Sequence, residues 1–193
     1  MNRPVKCMRE EKFARPGEVI IAADEIADIV AGLARDISRD YADRTPILVN
    51  LLKGGVVFLA DLMRQLSIPH QIDFMHVSSY ENGTSSSGSV RIVDDLSCSV
   101  WDRDVLIIED VIDTGITLAY IVNVLQLRGP RSLEVCTLLK KGAESTVHMP
   151  IRYVGKVIPD VFVVGYGLDY EESFRNLPFI ATLEIVDHPS PEL

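Results

Sequence analysis

Few cysteines and no long apolar run restrict what this chain of 193 residues can be. Its three cysteines, Cys7, Cys98 and Cys136, form no CxxC pair, which argues against a disulfide framework or a cysteine metal site. No apolar stretch approaches the roughly 20 residues that a membrane-spanning helix needs. Residues 1–13, MNRPVKCMREEKF, contain no apolar signal core. These absences predict a soluble, cytoplasmic protein with reduced thiols and no membrane partner.

Positive charge is also scarce. Lys and Arg together number 19, against 28 for Asp and Glu, which gives a net charge of -9. A nucleic-acid-binding protein needs a basic face, so this balance predicts no nucleic-acid partner. The acidic charge balance does not exclude anionic small-molecule ligands, provided that a metal ion mediates their binding. The length suits one domain with a substantial core, and we predict a single domain over residues 1–193.

Hydrophobic periodicity predicts alternating strands and helices. Steps of three and four between apolar residues predict a helix over 23–41, with Asp24 as its N-cap. Two further helices are predicted over 56–66 and 117–129, and strands over 46–52, 70–79, 103–110, 133–140 and 161–167. This order predicts an α/β fold with a mainly parallel sheet flanked by helices. Ligands of such sheets bind beyond the carboxyl ends of the strands.

Polar segments follow four of the predicted strands, at 52–55, 109–117, 138–142 and 164–175. A fifth segment, SSYENGTSSSGS at 78–89, is rich in Ser and Gly and cannot pack a core. Its composition favours a simple hairpin loop, whereas a functional interpretation makes it a lid over an active site.

Three carboxylates collect where one strand ends, in VLIIEDVIDTGIT at 105–117. Glu109 and Asp110 could be a solvated strand end, but they could also accept hydrogen bonds from sugar hydroxyls or bind Mg²⁺. After Asp113, a Thr-Gly turn opens a helix whose first backbone N–H groups can bind phosphate. The sequence has neither the GxxxxGK[ST] nor the GxGxxG pattern. The combination predicts a ribose-phosphate site.

The same stretch closely resembles the signature of the type I phosphoribosyltransferases, which use 5-phosphoribosyl-1-pyrophosphate (PRPP). LVNLLKGGVVFLADL at 48–62, the SSY at 78–80 and IPDVFVVGYGLDYEESFRNLPFI at 158–180 are similar to the hypoxanthine-guanine branch in order and spacing. The resemblance covers roughly residues 18–187. It implies a twisted, mainly parallel sheet, a small hood from the N-terminal segment and the region after 150, and a flexible lid at 78–89 containing Ser79 and Tyr80.

The resemblance also implies roles on the PRPP side of the site. Glu109 and Asp110 are expected to hold the ribose hydroxyls with Mg²⁺ nearby, and Asp113 to act as general acid/base toward N7 of the purine. The expected phosphate and pyrophosphate contacts are Asp113, Thr114, Gly115, Ile116, Thr117, Lys53, Gly54 and Arg175. Ile116 stands where some relatives carry Lys, which removes one possible charge contact. A cis peptide is expected between Leu52 and Lys53.

On the purine side, Lys141 resembles the lysine that donates to the 6-oxo group. Lys140 beside it leaves the register open by one residue, although spacing to IPD at 158–160 favours Lys141. Phe162 is expected to stack on the base and Val163 to bond its edge through the backbone. Periodicity alone would place both in the sheet core. Val111 is expected on the other base face, and Asp169 is expected to bind a second Mg²⁺.

The resemblance implies Mg²⁺-dependent transfer of phosphoribosyl from PRPP to N9 of hypoxanthine or guanine, by a homodimer or homotetramer. Three alternatives stay open. The base could be xanthine or another purine; the protein could be an RNA-binding regulator of the same fold; or it could be a generic phosphate-binding domain. The acidic balance argues against the regulator, and a generic domain does not explain four matching loops.

Overall fold

The computed structural model describes residues 13–80, 89–142 and 151–186. The central part of the predicted lid, residues 81–88, lies outside the described residues. In chain order the elements are β1 Phe13–Ile21, α1 Ala23–Asp40, β2 Ile47–Leu52, α2 Val56–Gln65, β3 Gln71–Tyr80, β4 Ser89–Asp94, β5 Asp104–Ile112, α3 Ile116–Gln126, β6 Ser132–Lys141, β7 Tyr153–Ile158, β8 Val163–Val164 and β9 Ile180–Val186.

Six strands form the main sheet in the order β4-β3-β2-β5-β6-β7. All neighbouring pairs are parallel except β3 and β4, which are antiparallel. The predicted α/β fold with a mainly parallel sheet is therefore confirmed. The parallel order brings the carboxyl ends of β2, β5 and β6 to one edge of the sheet, where the predicted site residues lie.

Both faces of the sheet are covered, which explains why its central strands are mostly apolar. In β2, Leu48 faces a core shared with α1 and α2, whereas Ile47 and Val49 face a second core shared with α3. The middle strand β5 is buried in the same way from Val105 to Ile108. Helices on both sides thus fix β5 in position, and its carboxyl end carries the acidic cluster.

A second sheet of three antiparallel strands has the order β1-β9-β8. It combines the N-terminal strand with two strands after residue 150. The predicted strand over 161–167 was too long, because only Val163–Val164 form a strand. Gly165 and Gly167 follow with φ angles of 101° and 98°, a conformation that leaves the extended region and ends the strand.

Two helix ends differ from the sequence prediction. Ala22, and not Asp24, is the N-cap of α1; Asp24 lies in the first turn, where its Oδ1 accepts a hydrogen bond from the Glu25 N–H at 2.9 Å. The third helix ends at Gln126, and Gly129 lies in the following turn with φ 68°. Within the described residues, no helix combines the length and apolar character needed to cross a membrane.

Candidate active site

A cavity of about 320 Å³, here called the large cavity, lies at the carboxyl ends of β5 and β6. This volume is at the lower end of the range typical for small-molecule sites. Its lining residues are Lys53, Gly54, Asp110, Val111, Asp113, Lys141, Phe162, Val163, Leu168, Asp169 and Arg175. All of them except Leu168 are site residues predicted from the sequence, although they come from four separate segments of the chain.

A smaller cavity adjoins the large one and is formed by the β5–α3 connection. It is lined by Glu109, Val111, Ile112, Asp113, Thr114, Gly115, Thr117 and Leu118. Successive side chains of a strand point to opposite faces, so Glu109 lines the small cavity and Asp110 the large one. Asp113 lines both. Ile116, which was predicted to contact phosphate, does not line either cavity and is exposed at the start of α3.

The small cavity opens onto the N-terminus of α3. Gly115 is the N-cap residue with φ 78°, a left-handed conformation that a glycine adopts without strain. The N–H groups of the first helical turn have no acceptor within the helix and carry its positive dipole end. The geometry therefore fits a phosphate group beside Thr114, Gly115 and Thr117.

The negative charges of the adjacent Glu109 and Asp110 carboxylates are poorly compensated. The Oε2 atom of Glu109 is buried and finds no hydrogen-bond partner among the described residues. Burial, and secondly the Asp110 carboxylate, raise the pKa of Glu109 well above its usual value. Burial also raises the pKa of Asp110 to about 6, although the backbone N–H of Val111 donates to Asp110 Oδ1 at 2.8 Å. A hydroxyl donor or a cation would relieve this charge.

Lys141 lies between two carboxylates. Its Nζ is 2.6 Å from Asp113 Oδ2 and 3.5 Å from Asp160 Oδ1, and the side chain is only 11% exposed. Lys140 does not line the cavity, so the structure places Lys141, and not its neighbour, in the site. Asp160 was not among the site residues predicted from the sequence. Its position in the IPD motif, next to residues assigned to the purine, was the available signal.

The loop after β2 approaches the site closely. The peptide bond between Leu52 and Lys53 is cis, as predicted. A β-carbon added to Gly54 would overlap the Asp110 carboxylate, and one added to Gly167 would overlap the Gly54 carbonyl oxygen. Glycine at both positions therefore allows this loop to pack against β5 on one side and against the segment after β8 on the other.

Arg175 is held by three acceptors. It donates to the Gly167 carbonyl at 2.7 Å and forms ion pairs with Asp169 at 2.9 Å and Glu172 at 3.1 Å. Glu172 also pairs with Lys53 at 2.8 Å. Glu172 was not predicted as a site residue, because an acid in a polar loop gives no signal of a contact 119 residues away.

Phe162 offers a half-exposed aromatic face to the large cavity, with 54% of the residue accessible. Its ring is packed edge-to-face against Tyr170 at 5.9 Å and 85°, which fixes its orientation. Val163 beside it is buried in β8. The sheet-core interpretation thus fits Val163 but not Phe162. Ser79 and Tyr80 lie at the end of β3, paired with Val90 and Ser89.

The three residues predicted to bind metal do not form a common ligand set. Within 13–80, 89–142 and 151–186, no group of three His, Cys, Asp or Glu side chains lies close enough to hold a metal ion. Glu109 and Asp110 point into different cavities, and Asp169 is paired with Arg175. A metal ion here would need further oxygen ligands from a substrate or from water.

Residues 19–171 match the family model described as the phosphoribosyl transferase domain. This match, together with the fold and the cavity, places the chain in the class of phosphoribosyltransferases.

Relatives and solved structures narrow the class. A hypoxanthine-guanine phosphoribosyltransferase from Staphylococcus epidermidis is 48% identical over 166 residues, which cover 86% of this chain and 93% of that protein. The crystal structure of a hypoxanthine phosphoribosyltransferase from Staphylococcus aureus superposes with a TM-score of 0.84 at 46% identity, covering 88% of this chain and 92% of that one. The chain belongs to the hypoxanthine-guanine phosphoribosyltransferase family, whose members are transferases.

A bifunctional protein TilS/HprT from Listeria monocytogenes is also similar, with 47% identity over 167 residues. The chain spans about a quarter of the length of that relative, 26%. The similarity to it therefore concerns one part of a longer protein.

Proposed function

We propose that this chain transfers phosphoribosyl from PRPP to N9 of hypoxanthine or guanine, giving IMP or GMP and pyrophosphate. The observation that carries the proposal is the large cavity, where residues from four segments assigned to base, ribose and pyrophosphate line one space. The names of the relatives, which include hypoxanthine-guanine phosphoribosyltransferase, support it. Purine salvage is the physiological role that follows.

On the purine side, Lys141 would donate a hydrogen bond to the 6-oxo group. An ammonium donor suits an oxygen acceptor and disfavours adenine, which presents an amino group there. Asp113 accepts from Lys141 at 2.6 Å, so a base that takes over the ammonium leaves the carboxylate available to N7. Asp113 would then assist proton movement on the purine as general acid/base. The exposed face of Phe162 would stack on the base.

On the phosphoribosyl side, Glu109 and Asp110 would bind the ribose hydroxyls. The unpartnered Oε2 of Glu109 needs a donor, and a sugar hydroxyl supplies one. The 5′-phosphate would lie in the small cavity, against the first turn of α3 and the hydroxyls of Thr114 and Thr117. Asp113 lines both cavities, so it would lie beside the base in the large cavity while the phosphate is bound in the small one.

The charges of the large cavity favour a divalent cation as cofactor. Each cationic side chain that lines it already pairs with a carboxylate: Lys53 with Glu172, Lys141 with Asp113, and Arg175 with Asp169. The polyanionic PRPP would therefore meet little uncompensated positive charge. Asp110 and Asp169 would hold Mg²⁺, which takes one or two carboxylates together with phosphate oxygens and water. When bound, Mg²⁺ would offset the charge on the departing pyrophosphate.

The remaining expectations concern the setting of the site. An oxocarbenium-like ribose is captured by water unless the site is closed, so the lid predicted at 78–89 would serve to exclude water.

We propose one phosphoribosyltransferase domain over residues 1–193, working as a homodimer or homotetramer in the cytoplasm. Cys98 and Cys136 are free thiols, which suits a reducing compartment.

The decisive experiment is a spectrophotometric assay of hypoxanthine, guanine and xanthine with PRPP, with adenine as the mismatched base. Each base is assayed with Mg²⁺ and again with EDTA. We expect turnover of hypoxanthine or guanine with Mg²⁺, loss of turnover with EDTA, and no turnover of adenine. If xanthine is the one base that reacts, the proposed substrate becomes xanthine. If none of the four bases reacts, the proposed function is wrong.

A further inference from the structure

We propose that Glu172 competes with pyrophosphate for Lys53 and Arg175, the two cationic side chains of the pyrophosphate site. This competition lowers the affinity for pyrophosphate and promotes its release. The inference rests on the proposed function, because it takes Lys53 and Arg175 to be pyrophosphate ligands. The sequence resemblance assigned no role to Glu172.

Glu172 is a bridge between two segments that are distant in sequence. Its Oε1 accepts from Lys53 Nζ at 2.8 Å, and its Oε2 accepts from Arg175 Nη2 at 3.1 Å. One carboxylate thus uses both oxygens to pair with one cation from the β2–α2 loop and one from the segment after β8. A phosphate group likewise carries anionic oxygens on one central atom, and two of them can pair with two cations in the same way.

The backbone around Glu172 is fixed in an uncommon conformation. Glu172 has φ 63°, and Glu171 and Phe174 also have positive φ, which few residues other than glycine adopt. The Glu172 N–H donates to Asp169 Oδ2 at 2.8 Å, and Tyr170 and Ser173 exchange two backbone hydrogen bonds. Strained backbone of this kind persists only where other contacts enforce it, and it points to a functional demand on the turn.

The two cations depend on Glu172 to different degrees. Arg175 keeps two other acceptors, the Gly167 carbonyl and Asp169. Lys53 has Glu172 as its one ion-pair partner among the described residues. Bound pyrophosphate would therefore replace Glu172 mainly at Lys53. When pyrophosphate leaves, Glu172 compensates the ammonium again, so the product departs without leaving a bare charge.

Both side chains of the Lys53–Glu172 pair are more than half exposed, at 56% and 64%, so the competition is modest. The Glu172→Gln variant keeps the shape of the side chain and removes its charge. We expect it to bind pyrophosphate about two to five times more tightly, as for the loss of an exposed ion-pair competitor.

The matched control is Glu171→Gln. Glu171 lies on the same turn, is exposed, also has positive φ and loses the same charge, but among the described residues it forms no ion pair with Lys53 or Arg175. Calorimetric titration of the full chain with inorganic pyrophosphate in Mg²⁺ measures both variants against the wild type. Tighter binding by Glu172→Gln with unchanged binding by Glu171→Gln supports the competition. Equal tightening in both shows a general charge effect and overturns it, as does unchanged or weaker binding by Glu172→Gln.

Steady-state kinetics give an independent readout. Competition at pyrophosphate predicts a lower KM for PRPP in Glu172→Gln and stronger product inhibition by pyrophosphate, with the KM for the base unchanged. A merely structural role would raise both KM values together. If the wild type binds no pyrophosphate and has no activity, the proposed function itself fails; if it does both and the variant matches it, only the role of Glu172 fails.

Discussion

Lys141 and Asp113 form an ion pair of 2.6 Å, although 28 residues separate them in the chain. The parallel pairing of β5 with β6 brings the two strand ends together, since Ile112 is opposite Lys140. Asp113 follows β5 directly and Lys141 ends β6. The pair therefore combines the residue proposed to transfer a proton with the one proposed to recognise the base, and each can be tested separately.

Replacing Asp113 by Asn should lower turnover far more than it weakens PRPP binding. The amide keeps the size of the side chain but cannot take up a proton, so we expect kcat to fall by about 100-fold or more, as for loss of a general acid/base. Measuring kcat and the KM for PRPP tests this. Equal losses in the two parameters would contradict the acid/base role.

Replacing Lys141 by Met should specifically weaken binding of the purine base. The variant loses the donor to the 6-oxo group, and a charged hydrogen bond is worth about 1.5–3 kcal/mol, so we expect the KM for hypoxanthine to rise roughly tenfold or more. The neighbouring Lys140→Met is the matched control, because Lys140 does not line the cavity. A loss in Lys140→Met without one in Lys141→Met would reverse the assignment.

Gly54→Ala tests the close approach of the predicted pyrophosphate loop to β5. The added methyl group overlaps the Asp110 carboxylate, so either the loop or Asp110 must move. We expect activity to be nearly lost and the free energy of unfolding to fall by about 1–3 kcal/mol, as for other overpacked sites. Chemical denaturation and the hypoxanthine assay measure the two effects.

The control for that variant is Gly32→Ala in the interior of α1. The atom nearest to an added β-carbon there is Arg35 Nη2 at 3.8 Å, an ordinary contact. Alanine is the better helix former, so this variant should gain about 0.5–1 kcal/mol of stability and keep full activity. A loss of activity in both variants would mean that the close approach at Gly54 is not the cause.

The sequence sufficed for β2, β3, β5 and β6 of the main sheet, because the central strands are buried on both faces and are mostly apolar, as in VLII at 105–108. It did not predict the two edge strands of that sheet, β4 and β7. It did not predict β1, where Pro16 and Gly17 interrupt the alternation and the pairing with β9 shifts register between Pro16 and Val19. The strand β9, which lies between β1 and β8 in the second sheet, was missed as well.

For the site, local motifs located the loops but not the contacts between them. EDVIDTG and LKGG are continuous in sequence, so resemblance identified them directly. The pairing of Lys53 with Glu172 arises only when two loops pack through Gly54 and Gly167. Likewise, alternation could not choose between Lys140 and Lys141, since the choice depends on how β6 is aligned with β5.

Asp40 gives a prediction on stability and pH away from the site. It joins the end of α1 to β7, accepting from the Tyr153 hydroxyl at 3.0 Å and from Arg152 at 2.9 Å. The Tyr153 hydrogen bond, followed by those of Arg152 and Arg39, holds the pKa of Asp40 below its usual value, although burial opposes the shift. Asp40 is only 18% exposed in its side chain, so these contacts are partly shielded from solvent.

A lowered pKa in the folded state means that the Asp40 carboxylate stabilises the fold above the unfolded-state pKa, about 3.9. This contribution is lost as pH falls through the lower, folded-state pKa. Asp40→Asn should therefore cost about 1–2 kcal/mol of the free energy of unfolding at pH 7, as for hydrogen bonds to a charged group, and progressively less as the pH falls below the unfolded-state pKa of about 3.9. Urea denaturation of the wild type and the variant at several pH values gives the difference.

The control for Asp40 is Asp36→Asn on the same helix. Asp36 is 53% exposed and pairs with Arg39 one turn away, an exposed pair that contributes little. We expect a cost below about 0.5 kcal/mol for it at every pH. If the cost of Asp40→Asn did not decline as the pH fell below about 3.9, its origin would be lost packing at the α1–β7 contact, because a contribution due to the charge declines once the unfolded-state carboxyl group takes up a proton.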